Sequence, residues 1–551
     1  MSDDTINCGP ALAPRQPLQG PASESVLHAP PRGMTVRMYR QGLGDCFLLA
    51  FPTAQSGQSY YVLIDCGVLQ GAPNGAANLN AVAQDIKAAT GGQIHLLVAT
   101  HRHADHVSGF SLARNVFSSM TIHNLWFGWP EKPDDPIAKQ LWAKSHLAQT
   151  ALTRAIAMQP EALEQVKSVL DFMGDLGAVA GGNPMDPVRA LLKSAAAPEY
   201  QRPGAGPLSL PTVPDVAPVD SVRIYVLGPP TRLDALAQMD PASGSNETYL
   251  AAGGLNAQTA FMMGVLDACN MGAPDSDMMS DDDRALCELS HPFDKALQIP
   301  ADEARRTEFF RKYYGFDDRP PTQGPSSPGA GQPAQGQAPA VRNSARKRGE
   351  QSANAAIPAA AVWRRIEDDW LGSAEELALQ LDNSINNTSL VLAIEFVKSQ
   401  KVMLFVGDAQ VGNWLSWHDL PAWTLPDGRT VTVPDLLERT VLYKVGHHGS
   451  HNATAAALAN AAPWGLELMC NPDLVAMLPV DSEFANCVKH WPMPWPKMMD
   501  RLRPLTNQRV MRLDTGIPQT NPGALANSVW DAFTGQVQVT DLYVQYTLVD
   551  S

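Results

Sequence analysis

The chain has 551 residues, a net charge of −15 and seven cysteines. That length exceeds one simple core and predicts one large domain with substantial insertions, or two domains. The acidic balance excludes broad, non-specific adhesion to nucleic acid or anionic membrane, yet leaves a phosphate substrate open, because a bound metal reverses the local field of an acidic site.

Residues 1–32 are polar and proline-rich and read as a disordered leader. From Met34 the pattern becomes strands: Thr35–Tyr39 alternates, while Cys46–Phe51 and Tyr60–Ile64 are buried runs. A helix fits Ala77–Ala89, and the strand Ile94–Ala99 leads directly into His101-Arg102-His103-Ala104-Asp105-His106. Thr121–Phe127 is a further strand, and residues 33–134 form the N-terminal half of a core. Residues 135–220, rich in Ala, Leu, Gln and Met at helical spacing, are expected to be a mainly helical insertion. Residues 221–230 return a core strand at Val222–Leu227.

Residues 231–380 are expected to form a second insertion, with a Pro-, Gly-, Ser- and Gln-rich flexible linker at about 319–356. Its Arg342, Arg346, Lys347 and Arg348 read as a solvated cluster, with an electrostatic tether for nucleic acid as the alternative. Residues 381–551 resume the core with strands at Ser389–Phe396, Val402–Val406 and Val441–Val445, and the stretch from Leu474 completes the sheet. No C-x-x-C pair occurs, and the scattered cysteines, odd in number, are expected to be reduced thiols. With no apolar stretch long enough to cross a bilayer and no secretory leader pattern, a cytoplasmic location is expected.

Three strands end in turns that carry metal-ligand residues: Ala99 before His101, Val406 before Asp408, and Val445 before His447 and His448. Ligands on the ends of neighbouring strands converge in one cleft, as a hydrolytic metal site requires. His101 and His103 alternate in an extended turn and can face one metal, while Asp105 and His106 can serve a second. Four ligand-type residues in six positions after a buried strand rarely arise by chance. The imidazoles and carboxylates suit zinc, manganese or iron, and the lack of thiolate disfavours a purely structural zinc site. Asp408 can bridge two ions. His447 is read as the ligand because it follows its strand most directly, with His448 as proton donor; the opposite assignment stays open.

The stretch Thr100–Gly109, preceded by Leu63-Ile64-Asp65-Cys66-Gly67, resembles the signature of the metallo-β-lactamase superfamily. More narrowly, Gly42-Leu43-Gly44-Asp45-Cys46-Phe47-Leu48, Asn386-Asn387-Thr388-Ser389-Leu390-Val391-Leu392 with Gly407-Asp408, and Leu442-Tyr443-Lys444-Val445-Gly446-His447-His448-Gly449-Ser450 are similar to the hydrolase domain of ComEC-type DNA-uptake proteins. The resemblance covers roughly half of the chain and leaves the leader and both insertions outside it. It implies an α/β fold, an αββα sandwich with metals at one edge of its two sheets. It also implies His101, His103, Asp105, His106, Asp408 and a histidine of the 447–448 pair as metal ligands. One departure stands out: the region before the strand leading to Asp408 has no histidine, so the resemblance implies one metal with a weaker or more open shell, with Asn386 or Asn387 either standing in there or acting only in a turn.

Asp45 and Asp65 are expected to orient ligand histidines. Lys444, Ser450 and His451 are candidates to contact a substrate phosphate. The expected activity is that of a metal-dependent hydrolase holding one or two divalent ions, zinc or manganese, that generate hydroxide at neutral pH. Asp105 and His448 are the expected catalytic residues. The resemblance points to a phosphodiesterase, either a nuclease or a nucleotide hydrolase. The alternatives are an ester or lactone hydrolase with a pocket lined from Trp414–Trp423 and Trp491–Trp495, or a partner-regulated protein whose insertions bind another macromolecule.

Overall fold

The computed structural model describes residues 8, 15–20, 26–158, 163–173, 183–192, 197–238, 306–309, 369–458 and 462–550. The first strands are β1 (Gly33–Tyr39), β2 (Cys46–Pro52), β3 (Ser59–Cys66), β4 (Gln93–Ala99), β5 (Thr121–Gly128) and β6 (Glu199–Gln201). They are followed by β7 (Val222–Gly228), β8 (Val391–Phe396), β9 (Val402–Phe405), the two-residue strands β10 (Trp423–Thr424) and β11 (Thr430–Val431), and β12 (Thr440–Lys444). The chain closes with β13 (Val475–Leu478), β14 (Val510–Arg512), β15 (Val537–Val539) and β16 (Tyr543–Val549). One mixed sheet has eight strands in the order β15-β16-β1-β2-β3-β4-β5-β6, and a second has six in the order β14-β13-β12-β9-β8-β7. The last segment therefore completes both sheets, not one.

Period-2 alternation packs the two sheets face to face. Phe47, Leu49 and Phe51 of β2 share one core with Leu392 and Ile394 of β8 and Met403 and Phe405 of β9. The rings of Phe47 and Phe405 meet edge to face across the sheets at 6.0 Å, an arrangement worth about 0.5–1.5 kcal/mol beyond the area buried. The alternate residues Leu48, Ala50, Leu63 and Leu97 face outward and are covered by Leu79, Val82 and Ile86 of the helix Gly75–Ala89 and by Phe110 of Ala104–Leu112. On the far side, Val402, Leu404 and Tyr443 are covered by Trp414, Leu436, Leu437 and Met498 from three helices. The architecture is thus α/β, with two facing sheets and helices on both outer surfaces.

The helices Pro136–Met158 and Glu164–Leu170 pack against the helix Asp369–Asn386 in a separate small core that includes Leu152, Val166, Leu377, Leu381 and Ile385. That third helix runs without a break across the expected boundary at residue 380. Beyond the short helix Asp186–Arg189, the 135–220 region turns extended: Glu199–Gln201 adds the edge strand beside β5, and Leu208 bridges to Ile224. The expected linker at 319–356, with Arg342, Arg346, Lys347 and Arg348, lies outside the described residues. No described helix is long and apolar enough to cross a membrane.

Two expectations are corrected. Cys8 and Cys487 form a disulfide, so the cysteines give no argument for a reducing compartment. The described parts of the leader are docked, not free: Arg15 pairs with Asp481 and Glu483, the Leu18 N–H donates to Asn78 Oδ1, and Leu27 is buried with its carbonyl accepting from Tyr61 Oη. The short apolar residues Leu18 and Leu27 supply that docking, and the surrounding polar composition hides it.

His95 on β4 is a core histidine. It is 5% exposed, its Nδ1 accepts the Tyr61 N–H at 2.7 Å, and its ring stacks on Tyr61. Burial, with a smaller push from His123, lowers its pKa from 6.5 to about 4. Between those values the unfolded chain binds a proton that the folded chain refuses. Its contribution is therefore complete above pH 6.5 and is lost as the pH falls toward 4, by at most about 3 kcal/mol. His95→Asn, whose amide oxygen can accept the same N–H, should flatten the loss of urea-unfolding stability across that window relative to wild type.

Candidate metal centre

The candidate ligands stand at the C-terminal ends of parallel strands. β4 pairs in parallel with β3 and β5, and β12 pairs in parallel with β9 and β13. After Ala99 the chain stays extended through His103, which caps the helix Ala104–Leu112, so Asp105 and His106 sit in that helix's first turn. Gly407, at φ +54°, turns β9 into Asp408. His447 and His448 follow β12 at φ +41° and +53°, left-handed values that non-glycine residues rarely adopt and that surrounding contacts must enforce. Gly67 lets β3 press on this turn: a Cβ there would lie 2.3 Å from the Asp105 carbonyl carbon and the His106 nitrogen.

One hydrogen bond ties the sheets together beside the site, Leu390 N–H to Thr100 O at 3.0 Å, and within the six-stranded sheet Asp408 N–H donates to Ser389 Oγ at 3.0 Å.

One set of ligand atoms converges between the sheets. His106 Nε2 lies 3.0 Å from Asp408 Oδ2 and 3.7 Å from Asp105 Oδ2. His448 Nε2 lies 2.8 Å from Asp105 Oδ2 and 3.8 Å from Asp408 Oδ2. The outer nitrogens have acceptors: His106 Nδ1 faces Asp65 Oδ2 at 2.7 Å, and His448 Nδ1 faces the Pro479 carbonyl at 2.7 Å. Because those partners only accept, the proton of each neutral imidazole belongs on Nδ1, and each Nε2 lone pair points inward. Asp65 is itself fixed by the N–H and hydroxyl of Thr100 at 2.8 and 2.6 Å.

Asp45, His106, Asp408 and His448 also each offer an atom within 4.8 Å of the others. Asp45, however, lies behind the rings, 3.9 Å from both Nδ1 atoms, and is ion-paired with Lys444. Asp105 is therefore the inner carboxylate and Asp45 the outer one.

A second set lies alongside. His101 Nε2 and His103 Nδ1 are 3.2 Å apart, and His101 Nδ1 is near the hydroxyls of Thr100 and Ser389 at 3.1 and 3.3 Å. His447 Nδ1 faces Gln410 Nε2 at 2.9 Å. The Gln410 amide is oriented by Asn452, whose Nδ2 donates to Gln410 Oε1 at 3.0 Å, so its nitrogen donates to His447. Ser450 Oγ, which donates to Asn452 Oδ1, lies 2.8 Å from the same Nδ1, and His447 Nε2 is buried without a hydrogen-bond partner. His448 Nε2 thus lies among the inner carboxylates, in the cluster that His106, Asp408 and Asp45 also form.

A divalent ion fits the donor set. His106 Nε2, Asp408 Oδ2 and Asp105 Oδ1 are buried without hydrogen-bond partners, as are His103 Nε2 and Asp382 Oδ1 nearby. Such burial is costly unless a cation completes it. Protonation reflects the same demand. Burial alone pushes His106 and His448 down, but Asp408, Asp105 and Asp45 carry both above the ordinary histidine value. Burial pushes Asp408 up, yet His106, Lys444 and His448 hold it well below the usual carboxylate range. Burial raises Asp45 to about 6 against the pull of Lys444. His101 is driven well down by burial and by His106 and His103; burial likewise takes His103 to about 4 and His447 to about 3.

No protein-family model matches this chain, and no curated protein matches it in sequence.

Several expected contacts are redirected. Lys444 Nζ is buried and bonded to Asp45 and to the Gly407 carbonyl at 2.7 Å, so it orders the strand ends and does not face a substrate. Ser450 Oγ belongs to the His447 network at 2.8 Å from Nδ1, and His451 packs edge-on to Trp495. Asn387 is structural, accepting from Asn413 N–H and donating to the Leu236 and Gln238 carbonyls. Trp414 and Trp417 are fully buried in the outer core and line no cleft.

Sequence reasoning missed Asp382, Gln410 and Phe172. Phe172, 3% exposed, places its ring 5.5 Å from His103 and 5.9 Å from His447 and stacks on Trp491 at 5.0 Å. Asp382 and Asn386 had one available signal, an i, i+4 spacing that puts both on one helix face.

A metal ion entering this site must displace the protons held by His106 and His448. Zinc binding, followed by calorimetry in buffers of different ionisation enthalpy, should release protons and tighten as the pH rises through and above the ordinary histidine range. Asp65→Asn should weaken that binding by about 10- to 100-fold, since it removes the charged acceptor from His106 Nδ1.

Proposed function

We propose that this chain is a metal-dependent hydrolase of the metallo-β-lactamase type, and within that class a phosphodiesterase acting on nucleic acid or nucleotides. The observation that carries the reading is the convergence of His106 Nε2, His448 Nε2, Asp105 Oδ2 and Asp408 Oδ2 at one buried point, with His101 Nε2 and His103 Nδ1 beside it. Two facing sheets with outer helices, and ligands at one edge of both, support the metallo-β-lactamase assignment. Zinc or manganese suits imidazole and carboxylate donors. When bound, such ions supply hydroxide at neutral pH and offset the charge of a phosphoryl group.

The chain's own residues then divide the work. Asp65 and the Pro479 carbonyl hold His106 and His448 in the tautomers that present Nε2 inward. Asp408 stands between the two sets, and its second oxygen is fixed by the His447 N–H at 3.0 Å. His447, kept neutral, directs Nε2–H into the site as a hydrogen-bond donor for a substrate oxygen. In this reading His448 is the ligand and His447 the catalytic donor. The preference for a phosphodiester rests on the resemblance of the segments around Asp45, Ser389 and Gly449. Ester or lactone hydrolysis is the second reading, and the aromatic wall of Phe172 and Trp491 favours it.

Metal-stripped protein with manganese or zinc restored should cleave bis-p-nitrophenyl phosphate, and linear single- and double-stranded DNA separates a nuclease from a nucleotide hydrolase. His103→Ala and Asp408→Ala should abolish turnover. His447→Gln should keep its metal and lose about 10²- to 10³-fold in kcat, whereas His448→Gln should lose metal. Stoichiometric metal with no phosphodiester turnover, but with cleavage of an aryl ester or lactone, would overturn the phosphodiesterase reading.

A further inference from the structure

The inference here rests on the metal reading above and concerns a residue that its ligand set leaves out. Asp382 lies in the last turns of the helix Asp369–Asn386, which belongs to the insertion bundle. Leu381 and Ile385 of that helix pack into the bundle core, and Asp382 and Asn386 face the other way, toward His103. Asp382 is buried; its Oδ2 accepts from Asn386 Nδ2 at 3.0 Å, and its Oδ1 has no partner. His103 Nε2 lies 3.7 Å from that oxygen and is also without a hydrogen-bond partner.

The two nitrogens of His103 face different surroundings. Nδ1 lies 3.2 Å from His101 Nε2 and so points into the second ligand set, leaving Nε2 as the outer nitrogen. For His106 and His448 the outer nitrogen already has an acceptor at 2.7 Å. For His103 the matching position is filled by the Asp382 carboxyl group at 3.7 Å, one ångström farther than those acceptors. A cation on Nδ1 places the ring proton on Nε2 and strengthens it as a donor, which closes that gap. We propose that Asp382 is the positioning residue that fixes His103 for metal binding, so that the helical insertion governs occupancy of the His101–His103 position while the His106–His448 position does not depend on it.

The test is metal binding by the full chain, read without turnover. Metal-free protein is titrated with cobalt(II), followed by its visible absorption, and bound zinc is counted after equilibrium dialysis. Wild type should bind two ions; Asp382→Asn should weaken one by about 10- to 100-fold, with loss of its cobalt band, and leave the other unchanged. Burial, with Asp105 and Asp408 nearby, pushes the Asp382 carboxyl well above the usual carboxylate range in the metal-free chain, so the neutral amide of Asp382→Asn should melt no lower than wild type. Asn386→Ala, which frees Asp382 Oδ2 and also removes a side chain from beside His103, should shift the same ion in the same direction. Unchanged stoichiometry and affinities in Asp382→Asn, or equal weakening of both ions, would overturn the proposal. A wild-type chain that binds no ion would end the metal reading itself, and this proposal with it.

Discussion

Too many acceptors for the available donors is the condition around which this molecule is organised. Asp45, Asp65, Asp105 and Asp408 are all at most 2% exposed and crowd around His106 and His448. Carboxylates removed from water in this way are tolerated only when positive charge is held against them. Lys444 supplies part of it, and protons drawn onto His106 and His448 supply more. A divalent ion at the same point satisfies the inner atoms directly. Lys444 is thus tied to the stability of the site, and its burial follows from the charge that it offsets.

Holding these groups together requires a frame that does not relax, and the two sheets provide it. Parallel strands end side by side, and the turns after β4, β9 and β12 meet at one edge. Backbone contacts reinforce the meeting point: Asp45 N–H donates to the Asp105 carbonyl, Leu390 N–H to the Thr100 carbonyl, and His447 N–H to Asp408. Left-handed backbone at His447 and His448 is the local cost of aiming two neighbouring rings at different targets. The insertions are not remote decorations, because one brings Phe172 against His103 and His447 and the other ends at Asp382.

The outer partners decide what each ring does. His106 and His448 have a carboxylate and a carbonyl behind Nδ1, while His447 has the Gln410 amide there. The chain Asn383, Asn452, Gln410 fixes that amide's orientation through hydrogen bonds of 2.8 and 3.0 Å. Adjacent histidines of identical chemistry thereby acquire different surroundings from groups contributed by distant segments.

By itself the sequence determined the strands, their alternation and the ligand-bearing turns, because period-2 burial and ligand clusters at strand ends are local patterns. The run His101 to His106, Asp408 and the His447–His448 pair were legible for that reason, as was Asp65 behind His106, whereas Asp45 is ion-paired with Lys444 and hydrogen-bonds no histidine. Only the tertiary structure decided that His448 meets the Pro479 carbonyl and Asp105 while His447 meets Gln410, because those partners lie far away in the chain. It also decided that Lys444 serves Asp45, that Trp414 is core, that Cys8 meets Cys487, and that Asp382 faces His103. Each of these is a contact between separate segments, and a linear pattern carries the side chain's chemistry but not the neighbour that directs it.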